Sequence, residues 1–117
     1  MYPSQLEFLR HILDECHYIL KVTEGKSQEE IINDETLSKA LIRSLEIVGE
    51  ATKRTDENIK IKYPFVNWKE MAGMRDRLIH DYFGVDYDIV YNTIVNDIPQ
   101  LHEELQRIIH IENKKQD

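Results

Sequence analysis

Apolar residues recur every three or four positions along most of the chain, the period of helices with one buried face. Leu6, Leu9, Leu13, Cys16 and Leu20 make the first stripe, widened by Ile12 and Ile19. Ser4 and Glu7 match a capping box, so this helix is predicted to start at Ser4, and Gly25 to end it. SQEEIIND, 27–34, predicts one short turn of helix. Asp34 then caps a second long helix, whose stripe is Leu37, Ala40, Leu41, Leu45 and Val48, fading into the polar run TKRTDENIK, 52–60. Pro64 breaks any helix there. Asn67 and Glu70 repeat the capping pattern, which predicts a third helix from about Trp68 to Gly84. Asp86 caps a fourth, with Val85 and Val90 placed as a hydrophobic staple. Its stripe is Val90, Ile94, Ile98, Leu101, Leu105 and Ile108, with a kink expected at Pro99. The tail IENKKQD, 111–117, is expected to fray. The pattern predicts an all-α protein: an antiparallel, up-and-down bundle of four long helices plus a short one, one domain over 1–117.

Composition narrows the function. A 117-residue chain with 41% hydrophobic residues buries a real, modest core. A net charge of −7 argues against coating nucleic acid by bulk charge, and leaves room for a local basic cleft. The single Cys16 excludes an intramolecular disulfide and any multi-cysteine metal site. Its apolar helical position predicts a buried, reduced thiol and a cytoplasmic protein. The opening MYPSQLEFLR lacks a basic stretch followed by an apolar run, so no signal peptide is expected, and no stretch is long enough for a membrane span.

RDRLIHDY, 75–82, concentrates ionisable groups at the end of the predicted third helix. On a continuous helix Arg75 and Tyr82 share a face, whereas His80 lies about 140° from Arg75. A loosened helix or a second surface, such as another copy across a two-fold axis, would reunite them. The residue types suit phosphoryl transfer without a metal. An imidazole such as His80 moves a proton near neutral pH. The Arg75 guanidinium matches phosphate oxygens. Asp76 suits holding the arginine or the imidazole, and Tyr82 suits hydrogen bonding or stacking on a base. The same residues also read as a solvated helix end, with Arg75 and Asp76 as surface charges and His80 as a cation favoured by the helix dipole.

Other clusters read more blandly. His11, Asp14, Glu15 and His17 on the first helix include the i, i+3 spacing of di-iron bundles but lack a matching motif elsewhere, which predicts a solvated face. His102, Glu103 and Glu104 form a weaker version. Trp68 and Met71 read as core or dimer contacts, and Lys53 with Arg54 as a polar helix end. No glycine-rich phosphate loop is present, so the chain is not expected to bind ATP tightly by itself.

RSLEIVGEA, 43–51, followed by PFVNWKEMAGMRDRLIHDYFGVDYDIVYNTIVNDIPQL, 64–101, resembles the HepT-like branch of the HEPN superfamily. The resemblance rests on the LEIVGEA helix, the tryptophan opening the third helix, GMRDxLIHxYF, Tyr91, and the Ile98-Pro99 pair, and it runs from about residue 4 to 110. It implies a single HepT-like domain that forms a homodimer. It also implies a metal-independent ribonuclease toxin of a type VII-like toxin–antitoxin pair, acting on tRNA or mRNA. The family signature falls on Arg75, Asp76, His80 and Tyr82. The implied antitoxin is a minimal nucleotidyltransferase that uses ATP and Mg²⁺ to place AMP on the motif tyrosine, here Tyr82; no cofactor is expected on this chain. Arg77, Lys69 and Arg43 would extend a positive rim. The rival readings are a non-catalytic helical module that binds RNA, a nucleotide or the nucleotidyltransferase, and a bundle with a structural role alone.

Overall fold

The computed structural model describes residues 3–79 and 84–116. Among these the chain is all-α, and the one β feature is an isolated antiparallel bridge between Ile79 and Val85. The helices are α1 (Pro3–Thr23), α2 (Gln28–Asn33), α3 (Glu35–Lys53), α4 (Glu57–Lys62), α5 (Trp68–Ala72), α6 (Met74–Leu78), α7 (Tyr87–Asn92) and α8 (Ile98–Gln116). A π-helical turn, Thr93–Asp97, joins α7 to α8.

Local chemistry accounts for most boundaries. The Ser27 hydroxyl accepts from the Glu30 N–H while the Glu30 carboxylate accepts from the Ser27 N–H, a complete capping box at the start of α2. The Asp34 carboxylate accepts from the Leu37 N–H, and that of Asp86 from the Asp88 and Ile89 N–H groups. Gly25 takes φ +72 and turns the chain after α1, as the sequence predicts. The Ser4 cap lies outside the described side chains.

α1 packs against both α3 and α8, so its buried face is centred further round than its leucines suggest. Ile12 and Ile19 are fully buried, while Leu13 and Leu20 are half-buried flanks. On α3, Leu41, Leu45 and Val48 are buried as predicted, and so are Ser38, Ser44 and Thr52. Those hydroxyls have partners: Ser44 donates to Glu15 on α1 at 3.0 Å, and Thr52 to the Val48 carbonyl at 2.6 Å. The whole stripe from Val90 to Ile108 is buried. Pro99 does not break that helix. It has no N–H for the ladder, and the chain absorbs the defect by widening into the π turn, where the Ile98 N–H reaches the Thr93 carbonyl.

Three expectations change. The polar run contains a helix of its own, α4, capped by Asp56 and anchored by buried Ile59. The third long helix is two short ones, divided at Gly73 and ending at Leu78 rather than Gly84. The expected frayed tail over 111–117 is helical as far as Gln116, because Glu112, only 3% exposed, is tied into the fold. It accepts hydrogen bonds from the buried Tyr63 hydroxyl and, at 2.9 Å, from Lys62. Lys115 approaches to 3.7 Å. The Tyr63 carbonyl in turn accepts from the Trp68 indole N–H at 2.8 Å. One tyrosine thus joins the end of α8 to the start of α5.

Cys16 is fully buried, and burial, helped by the charge of Glu15, pushes its thiol pKa up to about 12. The native protein is therefore expected to resist Ellman's reagent at pH 8 and to release one thiol equivalent when unfolded in guanidinium. A rapid native reaction contradicts this packing.

Candidate functional site

Arg43, Glu46, Glu50 and Lys53 follow 3-4-3 spacing and so share one face of α3. Gly49 sits against the α5–α6 pair. A Cβ built on it would come within 3.0 Å of the Met74 Cβ and 3.2 Å of the Met71 carbonyl oxygen. With no side chain between them, the two backbones approach closely, and buried Met71 and Met74 fix the register. Arg75, next in the chain, therefore stands beside the charged face of α3. Its Nε lies 3.7 Å from the Glu46 Oε2. The Arg75 side chain is 75% exposed, that of Glu46 26%.

These groups border a cleft of about 360 Å³. Arg43, Lys53 and Arg75 supply its cations, and Glu46, Glu50 and Asp76 its anions, so formal charge balances within one chain. Asp76 is exposed and lines the cleft beside Arg75. Of the expected rim, only Arg43 lines this cleft. Lys69 is exposed but stands elsewhere, and Arg77 turns the other way. Two residues along a helix is a rotation of about 200°, which aims Arg77 at the π turn. Its Nη2 lies 3.8 Å from the Asp97 carboxylate, and its Nη1 is buried without a hydrogen-bond partner. Burial raises the Asp97 pKa, Arg77 opposes that, and Glu70 adds to it. Lys53 takes the place on the rim that Lys69 and Arg77 do not fill.

His80 and Tyr82 lie outside the described residues. The chain on either side of them is fixed. The Ile79 backbone is extended and pairs with Val85, and the Asp86 N–H donates to the Leu78 carbonyl at 2.8 Å. Helical periodicity from Arg75 therefore carries no further than Leu78, so the shared face expected for Arg75 and Tyr82 is not set by a continuous helix.

The other clusters have structural partners. Glu15 is engaged by Ser44, and His17 on α1 stacks with His102 on α8, ring centroids 6.0 Å apart. Among the described residues no three His, Cys, Asp or Glu side chains gather as a metal site. Trp68 and Met71 are buried in the core, and Arg54 pairs with Glu50 at 3.1 Å. No described helix is long and apolar enough to cross a membrane. A larger cleft of about 480 Å³, between α1, α2 and the π turn, has a mainly apolar lining and contains no arginine. The smaller cleft holds Arg75 and Asp76 of the 75–82 segment and the larger holds neither, so the smaller is the stronger candidate. Sequence reasoning missed Glu46, Glu50 and Lys53, although the 3-4-3 stripe on α3 carries all three.

A family model described as ribonuclease HepT-like matches residues 12–108. A protein of Caldanaerobacter subterraneus named as a candidate RNase is 45% identical over 105 residues, covering 90% of this chain and 94% of the relative. One from Methanocaldococcus jannaschii, also named as a candidate RNase, is 44% identical over 102 residues, covering 87% and 84%. The probable ribonuclease HepT of Thermococcus cleftensis is 37% identical over 108 residues, covering 92% and 98%. No solved structure matches.

Proposed function

Because the chain belongs to the HepT-like ribonuclease family, we propose that it is an endoribonuclease that cuts RNA without a metal ion. The observation that carries this reading is Arg75, held at the mouth of a cleft shared with Arg43 and Lys53 and with its guanidinium open to solvent. RNA supplies its own nucleophile, the 2′-hydroxyl beside the scissile phosphate. In the proposed step His80 takes the 2′ proton, the 2′-oxygen attacks phosphorus, and the bond to the 5′-oxygen breaks. The protonated His80 returns its proton to the departing 5′-oxygen, which leaves as a hydroxyl, and a 2′,3′-cyclic phosphate remains. Arg75 neutralises the charge gathering on the phosphoryl oxygens, and Asp76 orients the imidazole.

A homodimer is the working unit we propose: a second copy across a two-fold axis would bring a second Arg75 to the same phosphate backbone. The physiological setting we propose is a toxin–antitoxin pair. A minimal nucleotidyltransferase partner would consume ATP with Mg²⁺ and place AMP on Tyr82. The added phosphodiester charge and bulk next to the motif would repel RNA. The balanced formal charge of the cleft, unfavourable for turnover on a polyanion, favours a second reading, a non-catalytic module that binds RNA, a nucleotide or that partner.

Cleavage separates the two. Purified protein, shown by intact mass to carry no AMP, is expected to cut total tRNA or a defined mRNA equally well with and without EDTA. A folded His80→Ala variant is expected to cut neither. No cleavage, or equal cleavage by the variant, overturns the nuclease reading in favour of the binding module.

A further inference from the structure

We infer that Glu46 is the positioning residue for Arg75, holding the guanidinium by its inner edge while its outer edge stays free for a phosphate. The atom of Arg75 that faces Glu46 is Nε, at 3.7 Å. A guanidinium has two usable edges. The one ending in the two Nη nitrogens forms the fork that grips phosphate in a bidentate manner. A carboxylate placed at the Nε side orients the plane and leaves that fork unoccupied.

The two partners differ in how firmly they are held. Arg75 is 75% exposed on a long stem, so packing does not fix its direction. Glu46 is only 26% exposed and rises from α3, one turn before Gly49. The close approach at Gly49 sets the spacing of the two helices and therefore the reach between these side chains. Asp76, adjacent to Arg75 in sequence, has the right charge for this task, but it is Glu46 that makes the ion pair. At 3.7 Å, with the arginine in solvent, the pair adds little to folding stability, and a substitution at Glu46 reports on orientation more than on the fold.

This inference rests on the nuclease reading for its kinetic test, and it has a second test that does not. With RNA as substrate, Glu46→Gln is expected to lower kcat at least about tenfold while KM changes much less, the mark of a group misaligned in the transition state. In an Arg75→Ala background the same substitution is expected to have no further effect. Independently, the Arg75 Nε–H proton, assigned by its loss in Arg75→Lys, is expected to give a distinct NMR signal at neutral pH that broadens or disappears in Glu46→Gln. Wild-type protein that cleaves nothing defeats the nuclease reading, and the Nε–H signal then decides the pairing by itself. An Nε–H signal indifferent to Glu46→Gln overturns the inference. So does an unchanged kcat, or an equal loss of rate in the Arg75→Ala background.

Discussion

Changing Glu112 to alanine is expected to cost about 2–4 kcal/mol, because it strands the buried Tyr63 hydroxyl and releases the end of α8. Chemical denaturation should show the loss directly, and thermal denaturation a fall in Tm of roughly 10–20 °C. The network also predicts two limbs in the pH dependence. Burial pushes the Glu112 carboxyl up, but the Tyr63 hydroxyl and the Lys62 ammonium outweigh that and hold its pKa below the ordinary value. Its stabilising contribution is therefore complete above the unfolded pKa of about 4.3, and it is lost as pH falls through the lower folded value. Burial, reinforced by Glu112, pushes the Tyr63 pKa up to about 12. Between the unfolded value of about 10 and the folded one, the unfolded chain releases the proton first, so stability falls as pH rises. Glu112→Gln should flatten the acid limb and Tyr63→Phe the alkaline one. Wild-type limbs retained in both variants contradict the network.

Gly49→Ala is the second large effect. A methyl group there meets the Met71 carbonyl, which is backbone and yields only if α5 moves. Overpacking of this kind costs about 1–3 kcal/mol, against about 1 kcal/mol gained by removing glycine from a helix interior. A net loss of up to about 2 kcal/mol is expected, with a drop in RNA cleavage because Arg75 is carried away from α3. Gly73 provides the contrast. A Cβ there would sit 3.5 Å from the Lys69 carbonyl oxygen, an ordinary contact, and its φ is negative. Gly73→Ala should be tolerated. If the two alanine variants melt alike, the close approach at Gly49 is not what sets the spacing of these helices.

The sequence made some features plain and concealed others for identifiable reasons. The stripe from Val90 to Ile108 and the caps at Asp34 and Asp86 are local, and local periodicity or one side-chain bond determines them. α4 was hidden because six residues with one buried side chain, Ile59, are too short for a period to emerge. The end of α6 was hidden because tertiary contacts set it: the pairing of Ile79 with Val85 and the bond from Asp86 to Leu78 replace the next helical turn. The tail read as frayed because Glu112 is a poor core residue until Tyr63 and Lys62 are placed beside it. At the site, Arg75 and Asp76 stood out by motif. Glu46, Glu50 and Lys53 carry no motif of their own and join the site only because α5 and α6 lie against α3.

The clasp formed by Ile79 with Val85 and by Leu78 with Asp86 works like a hem, sewn on both sides of residues 80–83. The entropy of closing so short a span is met by bonds that belong to the hem. Leu78, Ile79, Val85 and Asp86 thereby hold the exit of α6 against the entry to α7 through backbone bonds, which any side chains compatible with that backbone would keep.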